Sequence, residues 1–252
     1  VFDLNGKIAL VTGAGQNVGE GIAHALARQG ATVAVNDYHA DRAQKVADDI
    51  TAKGGKAVAA PFDVTDLDAV TKAFAEVAAN IGTVDILVNN AGTAGPNETM
   101  KVSPFREMSV DYWRGIIDVN LFGVLNCCKA ALDPMVEKGW GRLITIASGA
   151  GNVGLDMGVS TYGAAKAGAI GFMRHLAMEN APYGVTANTV ALGMVLRNVK
   201  DPELVKKWSD PIPVKRLGTP EDAGALAVYL ASEESAWMTG QTLGLNGGTT
   251  TS

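Results

Sequence analysis

The chain has 252 residues, 47% of them hydrophobic and 19% charged, with a formal net charge of −5. That apolar supply suits one large α/β domain with a substantial core, and an acidic chain without a Lys/Arg run excludes an electrostatic nucleic-acid surface. No stretch holds the roughly 18–20 unbroken apolar residues of a membrane span; the start Val1-Phe2-Asp3-Leu4-Asn5-Gly6-Lys7 lacks a signal peptide's plan, so a cytoplasmic protein is expected.

The pattern then alternates short β-branched runs with longer helical stretches. A strand at 8–12 is followed by a glycine-rich turn and a helix at 18–29. Strands at 32–36 and 56–61 flank a helix at 41–53, and a helix at 67–81 leads into a strand at 86–89. One long helix spans 111–137, a strand 142–147, and a second long helix 161–183. Strands at 185–190 and 242–245, with a helix at 220–231 between them, complete the series. Several strands are apolar almost throughout, as parallel strands covered on both faces are. Glycines at 30, 54, 55, 82, 139 and 184 fall where helices should stop. Alternation of this kind predicts a Rossmann-type doubly wound parallel sheet of about seven strands, with helices on both faces, and one domain over 1–252. Long connections at 93–110 and 193–219 break the rhythm, and these with 149–159 are the candidate substrate loops.

The turn after the first strand reads Thr12-Gly13-Ala14-Gly15-Gln16-Asn17-Val18-Gly19. Val18 occupies the third position of a strict G-x-G-x-x-G. The physical needs of the motif are still met, since glycines let the backbone turn sharply and approach a pyrophosphate at a helix N-terminus. Asp37, twenty-two residues beyond Gly15, ends the second strand, where a carboxylate can bond the hydroxyls of an adenosine ribose and repel a 2′-phosphate. The glycine turn holds no Lys or Arg to offset it. NAD is expected over NADP.

The run Ser160-Thr161-Tyr162-Gly163-Ala164-Ala165-Lys166 places a phenol and an ammonium four apart, on one face of a helix. A nearby ammonium favours the phenolate and lowers the phenol's pKa from about 10. Such a pair can exchange a proton with an alcohol oxygen. The only cysteines, Cys127 and Cys128, are adjacent, and the three histidines are scattered, so no metal site is expected.

Taken together, these residues resemble the short-chain dehydrogenase/reductase family in its compact single-domain branch, over nearly the whole chain from Gly6 to Gly248. Thr12-Gly13 with Gly19 is similar to that family's cofactor loop and Asp63-Val64 to its adenine-contacting pair. Asn89-Asn90-Ala91-Gly92 resembles its Asn-Asn-Ala-Gly signature. Asn120 falls on its helical catalytic Asn, Ser148 on its catalytic Ser, and Thr239-Gly240-Gln241 with Gly247-Gly248 on its C-terminal signature. The chain departs from the pattern in Asn17, where glycine is usual, in Leu192 before Gly193, where proline is usual, and in Arg197, near a usual Thr. Asn tolerates a positive φ, so the turn at Asn17 is expected to persist.

The resemblance implies hydride transfer between a nicotinamide and a carbinol or carbonyl carbon. Tyr162 would be the acid/base, Ser148 would bond the substrate oxygen, and Lys166 would lower the Tyr162 pKa and hold the nicotinamide ribose. Asn120 would hold a relay water or merely distort its helix. Cofactor contacts would come from Gly13, Gln16, Asn17, Val18, Gly19, Asp37, Asp63, Val64, Asn90, Ala91, Gly92, Gly193 and Val195, besides Tyr162 and Lys166. Candidate substrate walls at 94–108, 149–159 and 194–214 carry Met100, Met108, Leu155, Met157, Met194, Leu196, Trp208 and Ile212, which suits an apolar, alicyclic or acyl substrate. Arg197, Lys200, Lys206 and Lys207 are either a contact for an acidic tail or, more simply, solvated surface. In the family, the two long helices and the last strand form subunit interfaces, which implies a homotetramer. The alternative is a non-catalytic dinucleotide sensor on the same scaffold.

Overall fold

The computed structural model of the chain describes residues 1–93, 100–196 and 201–251. Seven parallel strands form one sheet in the order β3-β2-β1-β4-β5-β6-β7. They are β1 (Ile8–Val11), β2 (Thr32–Val35), β3 (Lys56–Ala59), β4 (Ile86–Asn89), β5 (Gly141–Ser148), β6 (Val185–Leu192) and β7 (Thr242–Leu245). Register is continuous across the centre, with Leu10 of β1 facing Ala34 of β2 and Leu87 of β4.

Successive strand residues point to opposite faces, and the core divides accordingly. On one side Val11, Val33, Val88, Ile144 and Val190 pack against α1 (Asn17–Arg28), α2 (Ala40–Ala52) and α8 (Pro220–Ala231). On the other, Leu10, Ala34, Leu87, Leu143 and Ala187 pack against α3 (Leu67–Asn80), α5 (Gly123–Lys138) and α6 (Ser160–Asn180). Each fully buried branched side chain contributes roughly 1.5–3 kcal/mol. Small residues let the layers approach: a Cβ on Gly224 of α8 would lie 2.8 Å from Ala25 of α1.

The expected long helix is one body, Val110–Lys138, with an interruption. α4 (Val110–Ile117) passes into a wider π turn, Asp118–Phe122, before α5 resumes. By length and composition this helix could cross a membrane, but Cys127, Cys128, Ala131 and Met135 are buried against the sheet. One helix was not foreseen: α7 (Pro202–Ser209), inside a segment expected to be irregular. Its N-cap Asp201 accepts from the backbone N–H of Glu203 and Leu204, and Pro202 opens it, a start that relieves the orphan donors of a first turn.

The strand order reverses between β1 and β4, and the chain leaves these two strands in opposite directions. A crevice opens there at the carboxyl ends of the strands, where ligands bind in open α/β sheets.

Candidate active site

A cleft of about 370 Å³ fills that crevice. Its floor is the turn after β1. Gly13 has φ +60° and lies against Ala91, where a Cβ would come within 2.8 Å of the Ala91 Cα. Gly19 is packed so closely on the Gly13 carbonyl that no side chain fits. Asn17 has φ +50°, the left-handed conformation anticipated for it.

Side chains of neighbouring strand ends hold this turn open. Asn90 Nδ2 donates to the carbonyls of Thr12 and Gly13 (2.9 and 3.0 Å), and Thr12 Oγ1 accepts from the N–H groups of Asn90 and Ala91. Asn36 Oδ1 accepts from Gly13 N–H, while its Nδ2 donates to the carbonyls of Ala60 and Phe62. Four strand ends, those of β1, β2, β3 and β4, are thereby tied together. Asp37 is buried, and its two oxygens accept from the N–H groups of Gly15 (3.1 Å) and His39 (3.0 Å). A carboxylate offers about four lone-pair sites, so two remain for a diol. Asp63 accepts from the backbone and side chain of Thr65, which fixes the loop after β3.

The opposite wall carries the proton chemistry. Ser148 ends β5, and its Oγ accepts from Ala150 N–H at 3.2 Å, leaving the hydroxyl proton to be donated. Tyr162 stands in the first turn of α6, and a Ser148 hydrogen bond acts on its phenol. One turn on, Lys166 lies over the Tyr162 ring, Nζ 5.7 Å from the centroid, and donates to the Ile146 carbonyl at 2.9 Å. Lys166 is almost wholly buried, and desolvation brings its pKa down to about 8.

The phenol itself departs from expectation. Burial pushes the Tyr162 pKa up, and the Ser148 hydrogen bond only partly opposes this. Lys166 sits over the ring face and donates to the Ile146 carbonyl, and no hydrogen bond from it to the phenol oxygen is present among the described residues. Tyr162 therefore rests as a neutral phenol at neutral pH.

Of the expected site residues, Gly13, Gln16, Asn17, Val18, Gly19, Asp37, Asp63, Val64, Asn90, Ala91, Gly92, Ser148, Tyr162, Lys166, Gly193 and Val195 all line this cleft. Leu192 in place of proline does not displace the last two, because Gly193 N–H is held by the Leu245 carbonyl and Val195 bridges Gly218. Asn120 does not reach the cleft. It is fully buried behind Gly92, donates to the carbonyls of Thr93 (2.7 Å) and Ile116 (2.8 Å), and accepts from Thr93 N–H. A Cβ on Gly92 would lie 3.0 Å from Asn120 Oδ1 and 3.4 Å from Lys166 Nζ, so the two groups face the same narrow space. Arg42, in the first turn of α2, also lines the cleft and was not anticipated.

The candidate substrate walls partly converge. Ser103 N–H donates to the Gly158 carbonyl, and Thr161 Oγ1 reaches Met108 Sδ, so the loops after β4 and β5 are knit together. A second, mainly apolar cavity of about 290 Å³ shares Gly193 and Val195 with the first and adds Met194, Ile212, Val214 and Leu245. Lys206 and Lys207 are exposed on α7. Residues 94–99 of the expected wall, and Arg197 and Lys200, lie outside the described residues. Burial pushes the Cys127 thiol up and Cys128 up to about 12, which makes both inert packing groups.

A doubly wound sheet with a glycine turn, a buried acidic residue after β2 and a Ser/Tyr/Lys set defines a dinucleotide-binding oxidoreductase. The comparisons with known proteins narrow the class. A family model described as enoyl-(acyl carrier protein) reductase matches residues 13–250. The chain is 38% identical over 251 residues to the 3-oxoacyl-[acyl-carrier-protein] reductase FabG of Vibrio harveyi, covering 98% of each. It is 36% identical over 258 residues to the oxidoreductase UcpA of Salmonella typhimurium, covering 98% of this chain and 95% of that one.

Among solved structures, a short-chain dehydrogenase/reductase from Mycobacterium marinum aligns with a TM-score of 0.91 and 36% identity, over 100% of this chain and 98% of that one. A gluconate 5-dehydrogenase from Burkholderia cenocepacia, in complex with NADP and tartrate, gives 0.90 and 31%, over 98% and 96%. A 7α-hydroxysteroid dehydrogenase complexed with NADH and 7-oxo glycochenodeoxycholic acid gives 0.89 and 33%, over 98% and 95%. The chain belongs to the short-chain dehydrogenase/reductase family, and it is an NAD(P)-dependent oxidoreductase acting on an alcohol or ketone.

Proposed function

We propose that the chain interconverts a secondary alcohol and its ketone with a preference for NAD(H), using Tyr162 as the acid/base and acting on an apolar, alicyclic or acyl substrate. The observation that carries this is the meeting of Ser148, Tyr162 and Lys166 in the cleft that also holds Asp37 and the glycine turn. The residues fit a dinucleotide: the cradle made by Gly13 and Gly19 admits no side chain, and Asp37 keeps acceptor capacity for a ribose.

Gly13, Gln16, Asn17, Val18 and Gly19 would hold the pyrophosphate, Asp37 the adenosine ribose, and Asp63 with Val64 the adenine. Asn90, Ala91, Gly92, Gly193 and Val195 would line the nicotinamide half, with Tyr162 and Lys166 at its ribose. When bound, the nicotinamide supplies the hydride acceptor or donor and, oxidised, a positive ring charge.

During reduction, the Tyr162 phenol gives its proton to the carbonyl oxygen, while the Ser148 hydroxyl donates to the same oxygen and stabilises its developing charge. During oxidation, the Tyr162 phenolate takes the hydroxyl proton. Lys166 adds positive charge at the ring face and holds the ribose. Asn120 is a positioning residue that fixes the backbone at Thr93 and, with Lys166, encloses a space that a relay water would bridge. The apolar cavity beside Val195 supports an apolar substrate.

The test is the change in NADH absorbance with a panel of secondary alcohols and ketones, run beside Tyr162→Phe. Turnover by the native chain that the variant loses is expected. Tight NADH binding without turnover on any substrate of the panel would turn the assignment toward a dinucleotide sensor.

A further inference from the structure

The loop after β3 brings Asp63 and Val64 to the cleft, yet β3 is the last strand of the sheet and has a neighbour on one side only. Asn36 holds the first part of that loop through the carbonyls of Ala60 and Phe62. Among the described residues, the remaining hydrogen bonds of residues 63–66 stay within the loop and the first turn of α3, with one exception. Asn126, near the start of α5, donates from Nδ2 to the carbonyls of Val64 (3.0 Å) and Thr65 (3.3 Å). A side-chain amide has two N–H donors, and both reach successive carbonyls of one loop. Gly123, three residues earlier and so on the same helix face, lets the loop lie close, since a Cβ there would fall 2.8 Å from Val64 Cγ2. Val64 is buried and lines the cleft. Three residues earlier again stands Asn120, which ties this helical body to Thr93 in the loop after β4.

We propose that Asn126 is a positioning residue for the adenine half of the coenzyme. It stands behind the cleft wall and acts through Val64 and Thr65, whose backbone it holds where the base would be received. This rests on the assignment of Asp63 and Val64 to the adenine. Without the amide donors, the loop gains freedom that the dinucleotide must remove on binding, and affinity falls. The loss belongs to the adenine end, because the nicotinamide half would be held by other loops, those after β4 and β6.

Calorimetric dissociation constants for NADH, AMP and nicotinamide mononucleotide test this on the full chain as native protein, Asn126→Ala and Asn126→Asp. Losing two neutral hydrogen bonds that order a loop is worth about three- to tenfold in affinity. Asn126→Ala should weaken NADH and AMP by that same factor and leave nicotinamide mononucleotide unchanged. Asn126→Asp keeps the shape but turns an acceptor toward two carbonyls, so it should weaken NADH and AMP at least as much. Unaltered NADH and AMP affinity in Asn126→Ala, whatever its denaturant midpoint, would overturn the proposal and leave Asn126 a brace for the fold. An equal loss for nicotinamide mononucleotide would overturn it too, as general loosening of the site. Should Asn126→Asp fail to fold, Asn126→Ala still decides, since alanine is the best helix former. Asp63→Ala separates premise from inference. AMP affinity unchanged in that variant would refute the adenine assignment, whereas AMP weakened by Asp63→Ala but not by Asn126→Ala would refute the role of Asn126 alone.

Discussion

Tyr162 and Lys166 show how far single residues can be understood before their surroundings are known. Their spacing places them on one face of α6, as expected, but the direction of the phenol's shift depends on burial, which spacing does not contain. The raised phenol carries a pH prediction: the rate of alcohol oxidation should climb through the alkaline range as the phenolate forms, whereas ketone reduction should fall there. Tyr162→Phe keeps the ring's packing and should lose ~10²–10⁴-fold in turnover, the usual worth of a general acid–base, with NADH binding retained; a tenth of native turnover in the variant would refute the mechanism. Lys166 carries a stability prediction. Its folded pKa of about 8 lies below the ordinary 10.5, so between those values the unfolded chain binds the extra proton. Stability from this group should thus rise as pH climbs from about 8 to 10.5, with the full burial cost present below pH 8. The two buried thiols shift the other way and oppose it at high pH. The clean measurement is the native chain against Lys166→Met in denaturant melts, where the native chain's relative stability should increase with pH over that window. Arg42 was not legible for a different reason: five residues separate it from Asp37 in sequence, and only the path of the loop into α2 brings both against Gly15.

At the scale of elements, short β-branched runs, apolar almost throughout, and helix-stopping glycines make all seven strands readable to within a residue or two. The π turn at Asp118–Phe122 was not readable, because one extra residue in a turn barely disturbs the apolar spacing of a long helix. What holds it is visible only in contacts. Asn120 Nδ2 donates to the Ile116 carbonyl one turn back and also to the Thr93 carbonyl, which ties the helix to the loop after β4. Wide turns of this kind cluster at functional sites. Asn120→Leu, similar in size but unable to bond, should leave buried carbonyls unpaired and cost about 1–3 kcal/mol, seen as a lower denaturant midpoint. A second element anchors the far wall. α8 starts with a capping box, in which Thr219 Oγ1 accepts from Asp222 N–H and Asp222 accepts from Thr219 N–H. Arg216 grips the same carboxylate through both nitrogens, and this pair holds the Asp222 pKa down to about 2. The sign follows: the contribution is present above about pH 4 and is lost as pH falls toward 2. Because the pair is largely exposed, its worth is at most about 1 kcal/mol. Gly218, just before the cap, bridges Val195, so the cap also steadies the cleft wall. α7 was not expected although Asp201-Pro202-Glu203 is a readable helix start, because the long connection at 193–219 breaks the strand–helix rhythm.

At the scale of the whole molecule, the surface of a single chain carries apolar groups that one subunit does not cover. Trp237 is fully exposed, and Met178 and Tyr183 are more than half exposed. The chain from Trp237 to β7 runs beside the end of α6: Gly240 packs near Ala177, and Arg174 reaches Thr242. β7 is also the open edge of the sheet. On the other flank, Val110 and Phe122 are half exposed along the helix that contains the π turn, and α6 presents Ala164 and Ala167. Large exposed apolar groups that gather in this way mark interaction surfaces rather than scatter. Two such faces, each pairing with its own copy about a two-fold axis, would close into a tetramer. The family resemblance implies subunit contacts at these same regions. The prediction is a tetramer in sedimentation at micromolar concentration. Trp237→Glu places a charge where the β7 face would be desolvated, so it should divide the tetramer into dimers while the other pair of helices still holds. A native monomer would refute the assembly, and an unchanged tetramer in Trp237→Glu would remove the β7 face from it.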